Sequence, residues 1–259
     1  MDQSSLQNAL SSLPLAQLRY FDSIGSTNDE ALAWAMEDAP DFSLIAADEQ
    51  TSGRGRAGHK WATPPGAALA FSLILRPTET EAASPSLFTG LGAVALVEVL
   101  QAHGLTAQIK WPNDVLLNRK KCAGILVESV WTGEALDALV LGMGVNVRRA
   151  AIPPARDLFF PATSLENELG HAPEREELLA EILAAVLKWR PRLGKDDLLR
   201  AWQDSLAFMN EQVQVQAEGE TPLEGRITGL DADGGLRLRL KRDKIVTVHF
   251  GEMHLRPTV

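Results

Sequence analysis

Between Asp48 and Trp61 the run Asp-Glu-Gln-Thr-Ser-Gly-Arg-Gly-Arg-Ala-Gly-His-Lys-Trp interleaves Gly53, Gly55 and Gly58 with Arg54 and Arg56. Glycine permits positive φ and close backbone approach to a ligand. Arginine presents a planar fork of donors matched to phosphate or carboxylate. Such a segment can fold over an anion and shield it from water. The spacing also satisfies Gly-x-Gly-x-x-Gly, but a dinucleotide fingerprint needs a strand just before it and a helix opening inside it. Here the polar run 48–52 precedes the glycines and Pro64-Pro65 follows. No Gly-Lys-Ser/Thr closes a Walker loop. Taken alone, the stretch also fits a solvated turn.

Lys110-Trp111-Pro112-Asn113-Asp114 brings a cation, an aromatic, a rigid turn and a carboxylate together, and Lys120 and Lys121 follow. If Asn118-Arg119 is a hairpin tip, the returning strand lies beside Asp114 and Val115, which sets an ammonium near a carboxylate in one cleft. Taken singly, such charges are most often solvated. Gly142-x-Gly144-x-Asn146 ends an apolar strand, where small residues admit a flat ligand or mark a bulge. Ser26-Thr27-Asn28 supplies hydroxyls and an amide at a helix start, as a cap or as readers of a polar ring. Trp61 and Trp111, judged singly, read as core.

The 259 residues suit one large domain, or one with a small appendage. A net charge of -9 argues against nonspecific binding to nucleic acid or anionic membranes. Any anion site is then a local basic cluster. The single cysteine, Cys122, excludes an internal disulfide, and the scattered histidines offer no metal-ligand spacing. No secretory signal opens the chain, and the apolar runs are too short or proline-broken to span a bilayer, so a cytoplasmic location is expected.

These motifs need elements to hold them. Strands are expected over 18–23, 42–47, 67–75, 107–111, 115–117, 120–130 and 135–147. Helices are expected after a capping box at Thr27-x-x-Glu30, from Pro85 to about 102, after a second box at Thr163-x-x-Glu166, from Pro173 to about 189, and over 196–208. From Gln212 the pattern returns to alternation, with a hairpin turn at 231–235. The expected class is α+β: a mixed central sheet with flanking helices over 1–208, then a small β barrel over 209–259.

In this order the motifs resemble the biotin–protein ligases. The pieces are Ser26-Thr27-Asn28, Gln50, Gly53-Arg54-Gly55-Arg56-x-Gly58 with Trp61, Lys110 to Asp114, Lys121-x-Ala123-Gly124-Ile125-Leu126, and Gly142-x-Gly144-x-Asn146. The tail, Val248 to Glu252 with Leu255-Arg256-Pro257, resembles the end of that family's SH3-like barrel. The resemblance implies a fold related to class II aminoacyl-tRNA synthetases. It implies ATP-dependent attachment of biotin to a lysine of a carboxylase carrier domain through biotinyl-5'-AMP, with Mg2+ arriving on the nucleotide.

By the same resemblance Lys121, Asp114 and Arg56 are catalytic. Ser26, Thr27, Asn28, Gln50, Gly53, Arg54, Gly124, Gly142 and Gly144 bind biotin. Arg56, Trp61, Lys110, Asn113, Lys121, Asn146 and Arg256 bind the nucleotide. Ala57 and His59 stand where the family carries further basic residues. Fewer than twenty residues precede the first strand, too few for a helix-turn-helix domain, so a purely enzymatic form is expected, as monomer or homodimer. The resemblance leaves a lipoate or octanoate ligase as the rival enzyme. A nucleic-acid binder using Arg54 and Arg56 is the rival of another class, disfavoured by the acidic balance.

Overall fold

The computed structural model describes residues 1–158, 160–217, 221–249 and 253–257, with side chains for all of these except 217 and 253–257. The chain runs α1 (Gln3–Ala9), β1 (Leu18–Ile24), α2 (Thr27–Met36), β2 (Ser43–Gln50), β3 (Ala68–Leu75), α3 (Glu79–Ala82) and α4 (Leu87–Ala102). Then come β4 (Ala107–Lys110), β5 (Asp114–Leu117), β6 (Lys120–Thr132), β7 (Ala135–Asn146), α5 (Leu165–Leu169), α6 (Arg175–Trp189) and α7 (Asp196–Asp204). Strands β8 (Gln212–Ala217), β9 (Leu223–Leu230), β10 (Leu236–Arg239), β11 (Ile245–Val248) and β12 (Met253–Pro257) close the chain.

The first seven strands form one sheet in the order β1-β2-β3-β7-β6-β5-β4, parallel between β1 and β2 and antiparallel elsewhere. Every residue of the central strand β3 is buried, as expected for a strand covered on both faces. The last five strands make a separate antiparallel sheet, β11-β10-β9-β8-β12. This is the mixed sheet with flanking helices and the small C-terminal β unit that the sequence predicts.

Three expectations need correction. The helix after β1 is capped by Ser26, whose Oγ accepts from the Asp29 amide, one residue earlier than Thr27. Ser164 likewise replaces Thr163 as the cap of α5. In both pairs each residue is a competent cap, and the threonine hydroxyl is instead taken up by Gln50, distant in the chain, and by Glu168 within α5. Helix α1 was not anticipated, because only Leu6 and Leu10 of that stretch are buried apolar side chains and they set no full helical period.

The two faces of β7 explain where a cavity opens. Leu139, Leu141, Met143 and Val145 face the main core, beside α4. On the other face Ala138 and Val140 pack against Ala31, Trp34 and Ala35 of α2. The next residues on that face are Gly142, Gly144 and Asn146, so the apolar cover stops where the strand runs past the start of α2.

Candidate active site

A cavity of about 520 Å³ lies on that face, walled by the start of α2, the segment 54–62, the turn 110–114, β6, β7 and the chain near 151–162. Among the described residues it gathers all the candidate positions except Gly53, which lies at the base of the flap. Arg256 lies on β12, and its side chain is outside the described residues.

At one end the hydrogen bonds interlock. Gln50 Oε1 accepts from the Thr27 amide at 2.8 Å and its hydroxyl at 3.1 Å, while Gln50 Nε2 donates to Thr63 Oγ1 at 3.0 Å. Ser72 donates to Asn28 Oδ1 at 2.5 Å and lies 2.9 Å from Thr27 Oγ1. Asn28 Nδ2 donates to Glu128 Oε2 at 2.8 Å. Ser72, Thr63 and Glu128 are contributors that sequence reasoning missed. Ser72 left a trace, as a lone polar residue inside an apolar strand.

The glycines of β7 serve this packing. A Cβ at Gly142 would strike the Asn28 amide, and one at Gly144 would strike the Trp61 indole. Space expected for a flat ligand alone is thus partly filled by the protein's own side chains. Trp61 also rests on Gly124, and its ring centre is 5.4 Å from Lys121 Nζ. Its Nε1–H is buried without a hydrogen-bond acceptor, a costly state for a donor in a native interior.

The glycine-arginine segment is a narrow flap. Gly55 N donates to His59 O at 2.7 Å and Trp61 N to Gly53 O at 2.9 Å, with a short 3-10 turn at Arg56–Gly58. Gly53 is needed for close approach, since a Cβ there would lie 2.5 Å from Trp61 O. Gly58 takes φ 70°, and Ala57 takes φ 52° beside it. Arg54 is not directed at the cavity as a free cation. It forms a bidentate pair with Glu128 at 3.0 and 2.7 Å and reaches Asp29 at 2.6 Å, and Glu128 above all raises its pKa. Arg56 reaches Asn113 Oδ1 at 3.4 Å.

At the other end a carboxylate sits between two ammonium groups. Buried Asp114 places Oδ1 2.5 Å from Lys121 Nζ and Oδ2 3.0 Å from Lys110 Nζ. Burial pushes the Asp114 carboxyl up, but Lys121 and Lys110 together outweigh it and hold the pKa at about 2. The tip Asn118-Arg119, with both φ positive, returns β6 beside β5 as the sequence predicts. A bulge then shifts the register: Leu116 pairs with Lys121 and Val115 with Ala123, leaving Cys122 extra. The bulge puts Lys121 on the same face as Gly124, where a regular strand would separate them. Lys121 is further fixed by its amide, which donates to Pro161 O, and by its carbonyl, which accepts from Thr163 N. Asn146 Nδ2 donates to Thr163 O at 3.0 Å, holding that same stretch against the cavity. Trp111 turns away from the cavity, is buried, and donates through Nε1 to Gly234 O at 3.0 Å.

Residues 20–146 match the profile of the biotin/lipoate A/B protein ligase family, and 208–256 match that of the biotin protein ligase C-terminal domain. A biotin–[acetyl-CoA-carboxylase] ligase of Paracoccus denitrificans is 37% identical over 83% of this chain and 90% of its own length. The chain belongs to the biotin protein ligase family. A second such ligase, from Mycobacterium tuberculosis, is 31% identical to this biotin ligase over 99% of this chain and 96% of its own. The Aquifex aeolicus biotin protein ligase solved with biotin and ATP superposes on it with a TM-score of 0.81 at 27% identity, over 94% of this chain and all of that one. No helix among the described residues of the ligase is long and apolar enough to cross a membrane.

Proposed function

We propose that this cavity binds biotin and ATP, forms biotinyl-5'-AMP, and passes the biotinyl group to one lysine of a carboxylase carrier domain. The observation that carries this reading is the Lys110–Asp114–Lys121 cluster at one end of a cavity whose other end is lined by the uncharged hydrogen-bonding side chains of Ser26, Thr27, Asn28 and Gln50. The neutral end suits the uncharged ureido ring, read by Ser26, Thr27, Asn28 and Gln50. The cationic end suits the carboxylate and the phosphates. The Aquifex ligase was solved with both ligands, and this supports the assignment.

In the first step the biotin carboxylate attacks the α-phosphorus and pyrophosphate leaves. Negative charge accumulates there, and cations already fixed around it lower the barrier without reorganising. Lys121 is assigned to the carboxylate and the α-phosphate, and Lys110 and Arg56 to the phosphates. Asn113 and Asn146 are assigned to the nucleotide. Trp61 supplies a buried donor that lacks an acceptor, which a ligand oxygen would satisfy. Asp114 is already taken up by two lysines, and among the described residues no carboxylate cluster for Mg2+ stands at this end, so we assign the ion no protein ligand and treat it as cargo of the triphosphate.

In the second step the carrier amine, as the free base, attacks the acyl carbon and AMP departs. A carboxylate with a pKa of about 2 is a poor proton acceptor at neutral pH. Asp114 is therefore assigned to holding Lys121 and Lys110 and to attracting the incoming ammonium, whose proton is lost to solvent before attack. The flap 53–61 shields the mixed anhydride from water. We take 1–208 as the catalytic part and 209–259 as the C-terminal domain, in keeping with the change of sheet near Gln212. We take the reaction to be cytoplasmic, in keeping with its use of ATP.

The test is a mass spectrum of a carrier domain incubated with enzyme, ATP and biotin. A single biotinyl addition on one lysine supports the reading. An unmodified carrier, or equal pyrophosphate exchange driven by lipoate, removes it.

A further inference from the structure

Glu128 lies on β6 outside the residues that carry the proposed chemistry, yet it joins the ring-reading end of the cavity to the flap. Its Oε2 accepts from Asn28 Nδ2 at 2.8 Å and from Arg54 at 2.7 Å, and its Oε1 accepts from Arg54 at 3.0 Å. Asn28 in turn is held by Ser72 and fills the space over Gly142. Arg54 is the second residue of the flap, and its carboxylate partners, Glu128 and Asp29, both stand on the fixed scaffold of β6 and α2.

A bidentate guanidinium–carboxylate pair fixes orientation as well as position. Because one Glu128 oxygen serves both donors, the place of the Asn28 amide and the closure of the flap are set by a single group. We propose that Glu128 is a positioning residue for the ligase reaction: it acts through Arg54 to hold the flap shut, and through Asn28 it ties that closure to the ring-reading end of the cavity. Asp29 is an auxiliary anchor on the solvent side. Arg54 thereby acquires the role of a fastener, distinct from a contact to biotin. The inference rests on the proposed biotin-adenylating function of the same cavity.

The experiment measures release of radiolabelled biotinyl-5'-AMP formed in place by the full-length enzyme. Its variants are Glu128→Gln, Arg54→Gln and the double variant. Glutamine keeps the shape and an acceptor for Asn28 but removes the charge. Each single variant is expected to release the intermediate about tenfold faster, the scale of losing one charge-assisted bidentate pair. The double variant is expected to release it no faster than Arg54→Gln alone, because both changes undo one fastening. The KM for biotin in pyrophosphate exchange is expected to rise more than kcat falls. Unchanged release in Glu128→Gln, or multiplicative effects in the double variant, overturns the proposal. Should Glu128→Gln unfold, Asp29→Asn combined with Arg54→Gln reads the same shared fastening from its exposed side, with the same criterion. Failure of the wild-type enzyme to exchange pyrophosphate with biotin overturns the underlying function, an outcome distinct from these.

Discussion

Asp114 holds Lys121 at 2.5 Å and Lys110 at 3.0 Å, so one buried carboxylate keeps two cations side by side. Replacing Asp114 by Asn leaves the two ammonium groups facing each other with no counter-charge. The Asp114 pKa falls from the ordinary 3.8 to about 2 on folding. A depressed carboxyl pKa stabilises above the unfolded value, and that contribution is lost as pH falls through the folded one. The wild type is therefore expected to lose about 2 kcal/mol between roughly pH 4 and pH 2 from this group. Urea unfolding across that range should show a smaller acid-linked loss in Asp114→Asn than in the wild type, and equal losses would count against this contribution.

Lys121→Ala is expected to lower biotin-dependent ATP–pyrophosphate exchange by at least ~100-fold, the scale for removing one preorganised donor at a charged transition state. Near-normal exchange would take Lys121 out of the chemistry.

Arg56 sits at the flap tip within reach of Asn113. Arg56→Gly is expected to release the intermediate prematurely while adenylation continues in part. Biotinylation of bystander lysines is the readout, and labelling no greater than wild type counts against the assignment.

The flap is expected to gain protection when the cavity fills. Hydrogen exchange over 53–61 should slow on adding biotin with ATP, and equal exchange with and without ligand refutes the idea of a closing cover.

Gly144→Val drives a branched side chain into the Trp61 indole. Overpacking of this kind costs about 1–3 kcal/mol, and here the indole must move with the flap that bears it. The variant should stay folded by circular dichroism and lose most of its biotin affinity by calorimetry. Wild-type affinity would show that Trp61 has another place to go.

The order of elements was legible because the apolar periods are strong where the sheet and α4 bury both faces, and the turn at Asn118-Arg119 carries its own local signal. The candidate residues that the cavity gathers stood out in the sequence mainly as a set, through their order along the chain and not through any one spacing. Three things were hidden. The bulge at Cys122, which redirects Lys121, depends on pairing with β5, and no local pattern encodes it. The fastening of Arg54 depends on Glu128, which lies seventy-four positions away. The choice of Ser26 over Thr27 as cap turned on Gln50 claiming the threonine hydroxyl, a competition that sequence alone does not rank.

Trp111 stands at the back of the turn that carries Lys110 and Asp114, and it donates to Gly234 in the turn between β9 and β10 of the C-terminal sheet. A chain cut after 208 would keep every described side chain that lines the cavity and would still lose the backing against which this turn is braced. The C-terminal module is consequently no detachable ornament: exchanging it between relatives would require the donor's 231–235 loop to present a carbonyl at the same spot, or the turn that carries Lys110 and Asp114 would lose its brace.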